Sequence, residues 1–477
     1  MGSVKTLLTL TSALALSACA AVGPDFKRPA APAAAGYAMA GDTRPGLAEL
    51  APEARPAGPW WTALGSPDLD ATIRQALKDN PTVAEAAATL ERAQAQTDAA
   101  RGGLAPQAQL AAGGLRERIN TQAFGFTGFP SPTLSLYSIG STVSYDLDLF
   151  GGRKRALEAA GAQAETEARR ADAAYLALTG NVALQALRIA SLKAQLDTLD
   201  LIIADDRRTI DMVQRAEAAG GAAPSAISGG QGQLARDEAQ RPALERDLAQ
   251  ARHQLALLVG RSPADWTAPD FNLASFKPPA QVPVAVPSAL VRQRPDILAA
   301  EAQLHAATAR IGVATADLYP NIRLTAGLTQ QAIDPANLFR YDSTGWNLGA
   351  GLTAPLLNGG TLKANRRAAE AEARAALARY QGTVLRALVQ VADVLTALAE
   401  DDRAIAALTR SEDSQAANLK DARKAYELGG GALIAVVDAQ RELNRARRET
   451  IVAQGRRYSD LVDLFTATAA NWTPDAS

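Results

Sequence analysis

"YSIGSTVSYDLDL", residues 137–149, alternates side chain by side chain. Tyr137, Ile139, Val143, Tyr145, Leu147 and Leu149 share one face; Ser138, Gly140, Thr142, Ser144 and Asp146 share the other. A period of two is the mark of a strand with one apolar side. Residues 344–354 repeat the pattern, setting Trp346, Leu348, Ala350 and Leu352 against Asn347, Gly349, Gly351 and Thr353. Ile322, Leu324, Ala326 and Leu328 alternate with Arg323, Thr325, Gly327 and Thr329, and residues 107–115 alternate more weakly. Strands of about ten residues with this pattern fit a membrane β-barrel with a polar interior, or a soluble sheet with one buried face. Four such strands cannot close a barrel, whose smallest forms have about eight. If they span a membrane, several chains must join, and 119–134 and 330–343 become exterior loops.

The strands recur because the chain repeats itself. "PTVAEAAATLERAQAQTDAARGGLAPQAQLAAG" (81–113) aligns without gaps to "PDILAAEAQLHAATARIGVATADLYPNIRLTAG" (295–327). Further on, "DLFGGRKRA" (148–156) pairs in kind with "LLNGGTLKA" (356–364), and 218–238 follows the outline of 427–447. Self-similarity in constant order implies two tandem copies, 63–260 and 288–470, each reading helix, two strands, long helix, helix. The first helix is expected from Ser66-Pro67, a serine cap followed by proline, to about residue 102. The long helix of copy one is expected from Gly152 to Ala219. Its Leu178, Val182, Ile189, Leu192, Leu196, Leu199, Ile203, Ile210 and Val213 step by threes, fours and sevens, a coiled-coil seam. Val384, Leu388, Val391, Leu395, Leu398, Ile405 and Leu408 do the same in copy two. At 1.5 Å per residue the long helix spans roughly 100 Å, about the summed length of the first helix and a fourth one at 224–259. Gly220-Gly221 and Gly429-Gly430-Gly431 are expected to make the hairpin turns.

The one cysteine among 477 residues, Cys19, cannot form an internal disulfide. Lys5, the apolar run 7–16 and "LSAC" (16–19) resemble a bacterial lipobox, in which the cysteine receives diacylglycerol and becomes the N-terminus. Two or three acyl chains anchor stably. Ala20, rather than Asp, follows the cysteine, which in the bacterial sorting rule points to the outer membrane. Residues 1–18 are then a signal peptide and 19–62 a lipidated extended linker. Residues 261–287 are a proline-rich connector placed outside the helical tube, and 471–477 a tail. With 49 Lys+Arg against 50 Asp+Glu, no nucleic-acid partner is implied.

"VGPDFKRP" (22–29), "WWTALGSPDLD" (60–70), "YDLDLFGG" (145–152), "LLVGR" (257–261) and "LVRQRPDILAAEAQL" (290–304) together resemble the TolC/OprM/NodT outer-membrane efflux family, especially its lipoprotein branch. The resemblance covers nearly the whole chain after Cys19. It implies a mostly α protein with membrane β: a homotrimer whose four strands per chain make a twelve-stranded outer-membrane barrel above a long periplasmic α-barrel. It implies the exit duct of a tripartite pump, joined to a periplasmic adaptor and an inner-membrane transporter, here of the RND type, and passing small molecules. In OprM-like members an Asp of the "LDAQ" segment lines the periplasmic constriction. "VVDAQREL" (436–443) matches it, so the resemblance makes Asp438 a gate candidate, with Ile434 one turn earlier as an apolar ring. Copy one has Ser228 at the matching place, within a glycine-softened "GGAAPSAISGG" (220–230).

No catalysis is expected. The glycine runs lack the phosphate-loop form. His253 and His305 stand singly, without metal-ligand spacing. Asp146 and Asp148 fall together on one polar strand face. No cofactor is expected beyond the covalent lipid on Cys19 (S-diacylglycerol with an N-acyl chain). Two other readings stay open: a duct for type I protein secretion, and a non-conducting lipoprotein that spans the periplasm.

Overall fold

The computed structural model describes residues 21–33, 36–39, 59–125, 127–128, 130–277 and 287–469. Cys19 lies outside them. In chain order the main elements are α1 (Pro67–Asp79), α2 (Pro81–Gly102), β1 (Gln107–Arg118), β2 (Thr133–Asp146), α3 (Gly152–Ala218), α4 (Pro224–Glu238) and α5 (Arg241–Val259). After the connector come α6 (Pro287–Gln293), α7 (Pro295–Ala316), β3 (Asn321–Ala332), β4 (Thr344–Thr353), α8 (Thr361–Glu427) and α9 (Leu433–Thr468). The chain divides into two compact units. The strand unit is Met1–Pro29, Thr89–Ala168 and Ala299–Tyr380; the core unit is Ala30–Ala88, Arg169–Leu298 and Gln381–Ser477.

In the strand unit, β1-β2-β3-β4 form one antiparallel sheet in sequence order. Its register lines up the alternation across all four strands. Leu110 faces Ser141, Ser141 faces Leu328, and Leu328 faces Trp346; Ala108, Val143, Ala326 and Leu348 form the parallel row. One face therefore carries the apolar set, with Leu110, Leu328, Trp346, Leu348 and Leu352 all exposed. The other carries Thr142, Gly327 and Asn347, with Ser144, Thr325 and Gly349 beside them. A one-residue slip would exchange the two faces wholesale. The polar face ends at Asp146, whose buried carboxylate accepts from Arg323 Nε (2.7 Å), Asn321 Nδ2 (3.4 Å) and Arg153. Asp148 is not on that face, contrary to the strand reading. The strand stops at Asp146. Asp148 has φ +46° and caps α3, accepting from the backbone amides of Arg153 (2.9 Å) and Lys154 (3.0 Å).

The seam residues of both long helices are the covered ones, as expected. Val182, Ile189, Leu199, Val384, Val391 and Leu395 are buried, and Leu196, Ile210, Leu388 and Ile405 partly so. The expected single first helix is two helices. Proline cannot donate to the helix ladder and drives the residue before it out of helical space, so the chain breaks at Asn80-Pro81. Asn80 is extended (ψ 126°); its side chain donates to Leu258 O (2.7 Å) and accepts from Thr82 N (2.8 Å). The expected fourth helix likewise breaks at Ala239-Gln240, ahead of Pro242, while its counterpart α9 runs unbroken.

The core unit is built on Trp60. That indole stacks on Phe465 (5.6 Å between ring centroids) and meets Trp61 edge-on (6.0 Å). Its Nε1 donates to Thr179 Oγ1 (3.3 Å), the polar partner a buried indole needs. Leu64, Leu69, Ile73, Leu187, Ile189, Leu255 and Phe271 complete the core. The connector is less detached than its prolines suggest: Phe271, Leu273 and Phe276 are buried in the same cluster.

Replacing Asp146 by Ala leaves two cations without their shared carboxylate. Arg153 and Arg323 are partly exposed and can rehydrate, so the expected loss is about 1–2 kcal/mol rather than the 3–5 of a fully buried pair. A urea titration in detergent, followed by strand circular dichroism, checks this; an unchanged midpoint contradicts it.

Candidate functional site: a polar sheet face and a tip helix

Two features can serve conduction: the polar face of the sheet in the strand unit, and a helix tip in the core unit. The tip begins with two glycine turns. Gly220 (φ +76°) and Gly429 (φ +77°) sit in left-handed backbone that a side chain would strain. Gly221 N returns to Ala216 O (2.7 Å) and Gly430 N to Ala425 O (3.0 Å), closing α3 and α8 with the long backward bond of a glycine cap. Between these turns α9 presses Leu433 against Val213, and Val436, Ala439 and Leu443 against Leu419. Helical geometry then leaves Ile434 and Asp438, four residues apart, on the opposite side. Ile434 is 59% exposed and the Asp438 side chain 63%. The partner of Asp438 is Arg441, one turn on, at 3.5 Å. Glu442 and Arg445 continue the exposed stripe. Ser228 is exposed on α4.

Behind the tip, the covered side of α9 meets a network of buried carboxylates. Asp237 on α4 accepts from Arg448 (2.8 Å), Gln233 (2.7 Å) and Gln240 (2.7 Å). Asp205 on α3 accepts from Gln440 (3.0 Å) and Arg447 (3.4 Å) and pairs with Arg208. Asp206, buried beside Asp237, keeps Oδ2 without a hydrogen-bond partner. Burial first, and the neighbouring Asp237 second, push its carboxyl up to about 7. Burial acts on Asp237 too, but bonds from Gln233 and Arg448 outweigh it and hold that carboxyl below the usual range. A second pair repeats the theme between α8 and α9: burial, then Asp460, push Asp401 up to about 6. Periodicity gave no sign of either pair, since the partners lie on different helices.

In the strand unit, residues 22–28 form a docked strap. Val22 N donates to Phe150 O (3.0 Å). Arg155 holds Val22 O (3.2 Å) and Asp25 (2.7 Å), Phe26 stacks on His305 (4.5 Å), and Arg28 bonds Glu301 (2.7 Å). Gly23 passes so close to Gly312 that an added Cβ would lie 2.5 Å from its Cα. His305 also contacts Glu158 at 3.0 Å, so it is a packing group of the strap. Among the described residues, no cluster of three or more His, Cys, Asp or Glu could hold a metal.

A sheet with one lipid-compatible and one polar face, joined to long coiled-coil helices, defines an outer-membrane channel of the TolC-like fold. Known proteins agree. The family model for outer membrane efflux protein matches residues 72–261 and 286–470, and the chain belongs to that family. Outer membrane protein OprJ of Pseudomonas aeruginosa is 31% identical over 97% of this chain and 95% of its own length. The probable outer membrane lipoprotein SilC of Salmonella typhimurium is 29% identical over 98% of each. The solved outer-membrane channel OprN superposes with a TM-score of 0.87 at 25% identity, covering 95% of this chain and 100% of that one. The protein is thus an outer-membrane efflux component.

Because Asp206 and Asp401 titrate higher folded than unfolded, their stabilising contribution is full below about pH 4. It is lost as pH rises through about 7 for Asp206 and about 6 for Asp401. Thermal unfolding in detergent, followed by helical circular dichroism, is therefore expected at lower temperature at pH 8 than at pH 5. Asp206→Asn is expected to recover on the order of 1–2 kcal/mol at pH 8 and to flatten the profile. A variant profile as steep as the wild type contradicts this.

Proposed function

We propose that three copies of this chain form the exit duct of a tripartite, RND-type pump, conducting small molecules passively from periplasm to exterior. Each chain supplies four strands to a twelve-stranded barrel. A periplasmic adaptor and an inner-membrane transporter complete the machine, and the energy comes from the transporter. The duct itself performs no catalysis and needs no cofactor beyond lipid. The observation that carries this reading is the sheet register: where all four strands pair, one face is mostly apolar and the other mostly polar, and the edge strands β1 and β4 have no partner strand among the described residues. In lipid such edges must be paired, and only more copies of the same sheet supply a matching strand.

In the core unit, Asp438 and Ile434 form the constriction. The stripe they occupy is left uncovered by the described residues. Three carboxylates converging on an axis attract cations and repel one another, and a ring of isoleucine beside them excludes water. Cys19 carries the lipid, and the strap Val22–Arg28 ties it to the strand unit.

Single-channel recording in a planar bilayer tests the gate. Wild type is expected to give small, cation-selective events, and Asp438→Ala larger or less selective ones. Equal, large conductance in both moves the constriction elsewhere. Absence of conductance from an inserted, heat-sensitive oligomer overturns the duct. For the anchor, intact-mass analysis of the membrane-extracted protein should show a chain starting at Cys19 with added diacylglycerol and acyl mass. Cys19→Ser should lose that mass; an unmodified wild-type chain contradicts the lipobox.

A further inference from the structure

Near the loop end of the β1–β2 hairpin, the apolar face changes character. β1 and β2 stay paired beyond Ala332, where β3 ends, so Arg116 faces Ser135 and Arg118 faces Thr133. The register places these four side chains on the same face as Leu110, Val143 and Trp346. Glu117, between the arginines, turns to the polar face with Leu115 and Leu136. Arg116 and Arg118 are exposed, and neither has a hydrogen bond or ion pair with any described residue.

Two guanidinium groups without a partner among the described residues thus stand on the membrane-facing surface. At about 3.4 Å per residue and a tilt of about 40°, β2 climbs roughly 26 Å from Tyr145 at its base to Ser135. An outer-membrane barrel presents an apolar band about 25 Å tall, so Arg116 and Arg118 stand at its upper edge. Arginine at mid-bilayer costs about 2–4 kcal/mol, but close to nothing at the interface. At that height the neighbours are lipid headgroups. Side chains at alternate strand positions lie about 7 Å apart, with a hydroxyl opposite each, so phosphoryl oxygens can be met by paired N–H donors and an O–H.

We propose that Arg116, Arg118, Ser135 and Thr133 form a site for the phosphoryl groups of a phosphorylated lipid in the outer leaflet of the outer membrane. The proposal rests on the reading that the sheet spans the membrane with its loops outward. Guanidinium groups clamp the phosphate bidentately and the hydroxyls complete its contacts, while the acyl chains lie against Leu110 and Val143. A bound lipid of this kind seals the barrel rim and fixes its depth.

The test is native mass spectrometry of the full-length protein in mild detergent, offered bisphosphorylated lipid A, the same lipid with its phosphates removed, or inorganic phosphate. Wild type is expected to retain the bisphosphorylated lipid at least about tenfold more than the dephosphorylated form. Arg116→Gln with Arg118→Gln should abolish that preference, and each single change should reduce it. Arg340→Gln, in the β3–β4 loop, should leave it intact. No discrimination by wild type, or equal discrimination by the double variant, overturns the site. Displacement by millimolar inorganic phosphate as readily as by lipid would overturn its assignment to a lipid. A heat-sensitive oligomer that inserts into bilayers reports the membrane-spanning reading separately, whatever the lipid result.

Discussion

Backbone amides and carbonyls cannot be left unpaired in hydrocarbon, and the rest of this structure follows from that constraint. A four-stranded sheet leaves two edges open, β1 and β4. An antiparallel sheet with one solvated side and one buried side is common enough in water. Here β1 and β4 are exposed on both faces, the apolar one included: Trp346 is 79% exposed and Leu348 78%. Neither the edges nor that face is covered by the described residues, which is what the proposed assembly of several copies in lipid would supply.

The tandem arrangement serves the same end. Each copy contributes a hairpin and a long helix, and the two hairpins meet along β2 and β3 to make one continuous sheet. The core unit holds its helices differently, with a stacked aromatic centre around Trp60 and carboxylates shared among α3, α4 and α9. Carboxyl pairs in such surroundings favour folding only while a proton is available, which makes the helices behind the proposed gate sensitive to acidity. Asp438 stands on the exposed stripe, so its charge and the buried pairs can be altered independently.

Much of the fold was legible because its two periods are so different. The twofold alternation at 137–146 and 344–353 and the seam through Val384, Val391 and Leu395 were readable by eye, and the structure puts these residues on the faces the periods require. Glycine pairs marked both hairpin turns. Local chemistry was harder to read. The break at Asn80-Pro81 was signalled by the proline but was masked by the strength of the surrounding helical pattern. Asp148 kept the alternation of its strand yet belongs to a helix cap, because a side chain that satisfies two amides outweighs the pattern of its neighbours. Phe271 and Phe276 looked like linker because prolines surround them, though their rings had to be buried somewhere. Of the candidate site, Ile434 and Asp438 could be placed on one helix side from their spacing. The Asp206–Asp237 and Asp401–Asp460 pairs could not, since they join distant stretches of chain and no period connects them.

The central claim is that lipid covers one face of this sheet and water the other. Cysteine-scanning spin labelling along β3, from Ile322 to Thr329 in reconstituted bilayers, measures it residue by residue. Collision with oxygen, which dissolves in lipid, is expected to peak at 322, 324, 326 and 328. Collision with a water-soluble nickel chelate should peak at 323, 325, 327 and 329. Alternation in the opposite phase, or uniform exposure to the chelate at every position, would contradict a membrane-spanning barrel built from these strands.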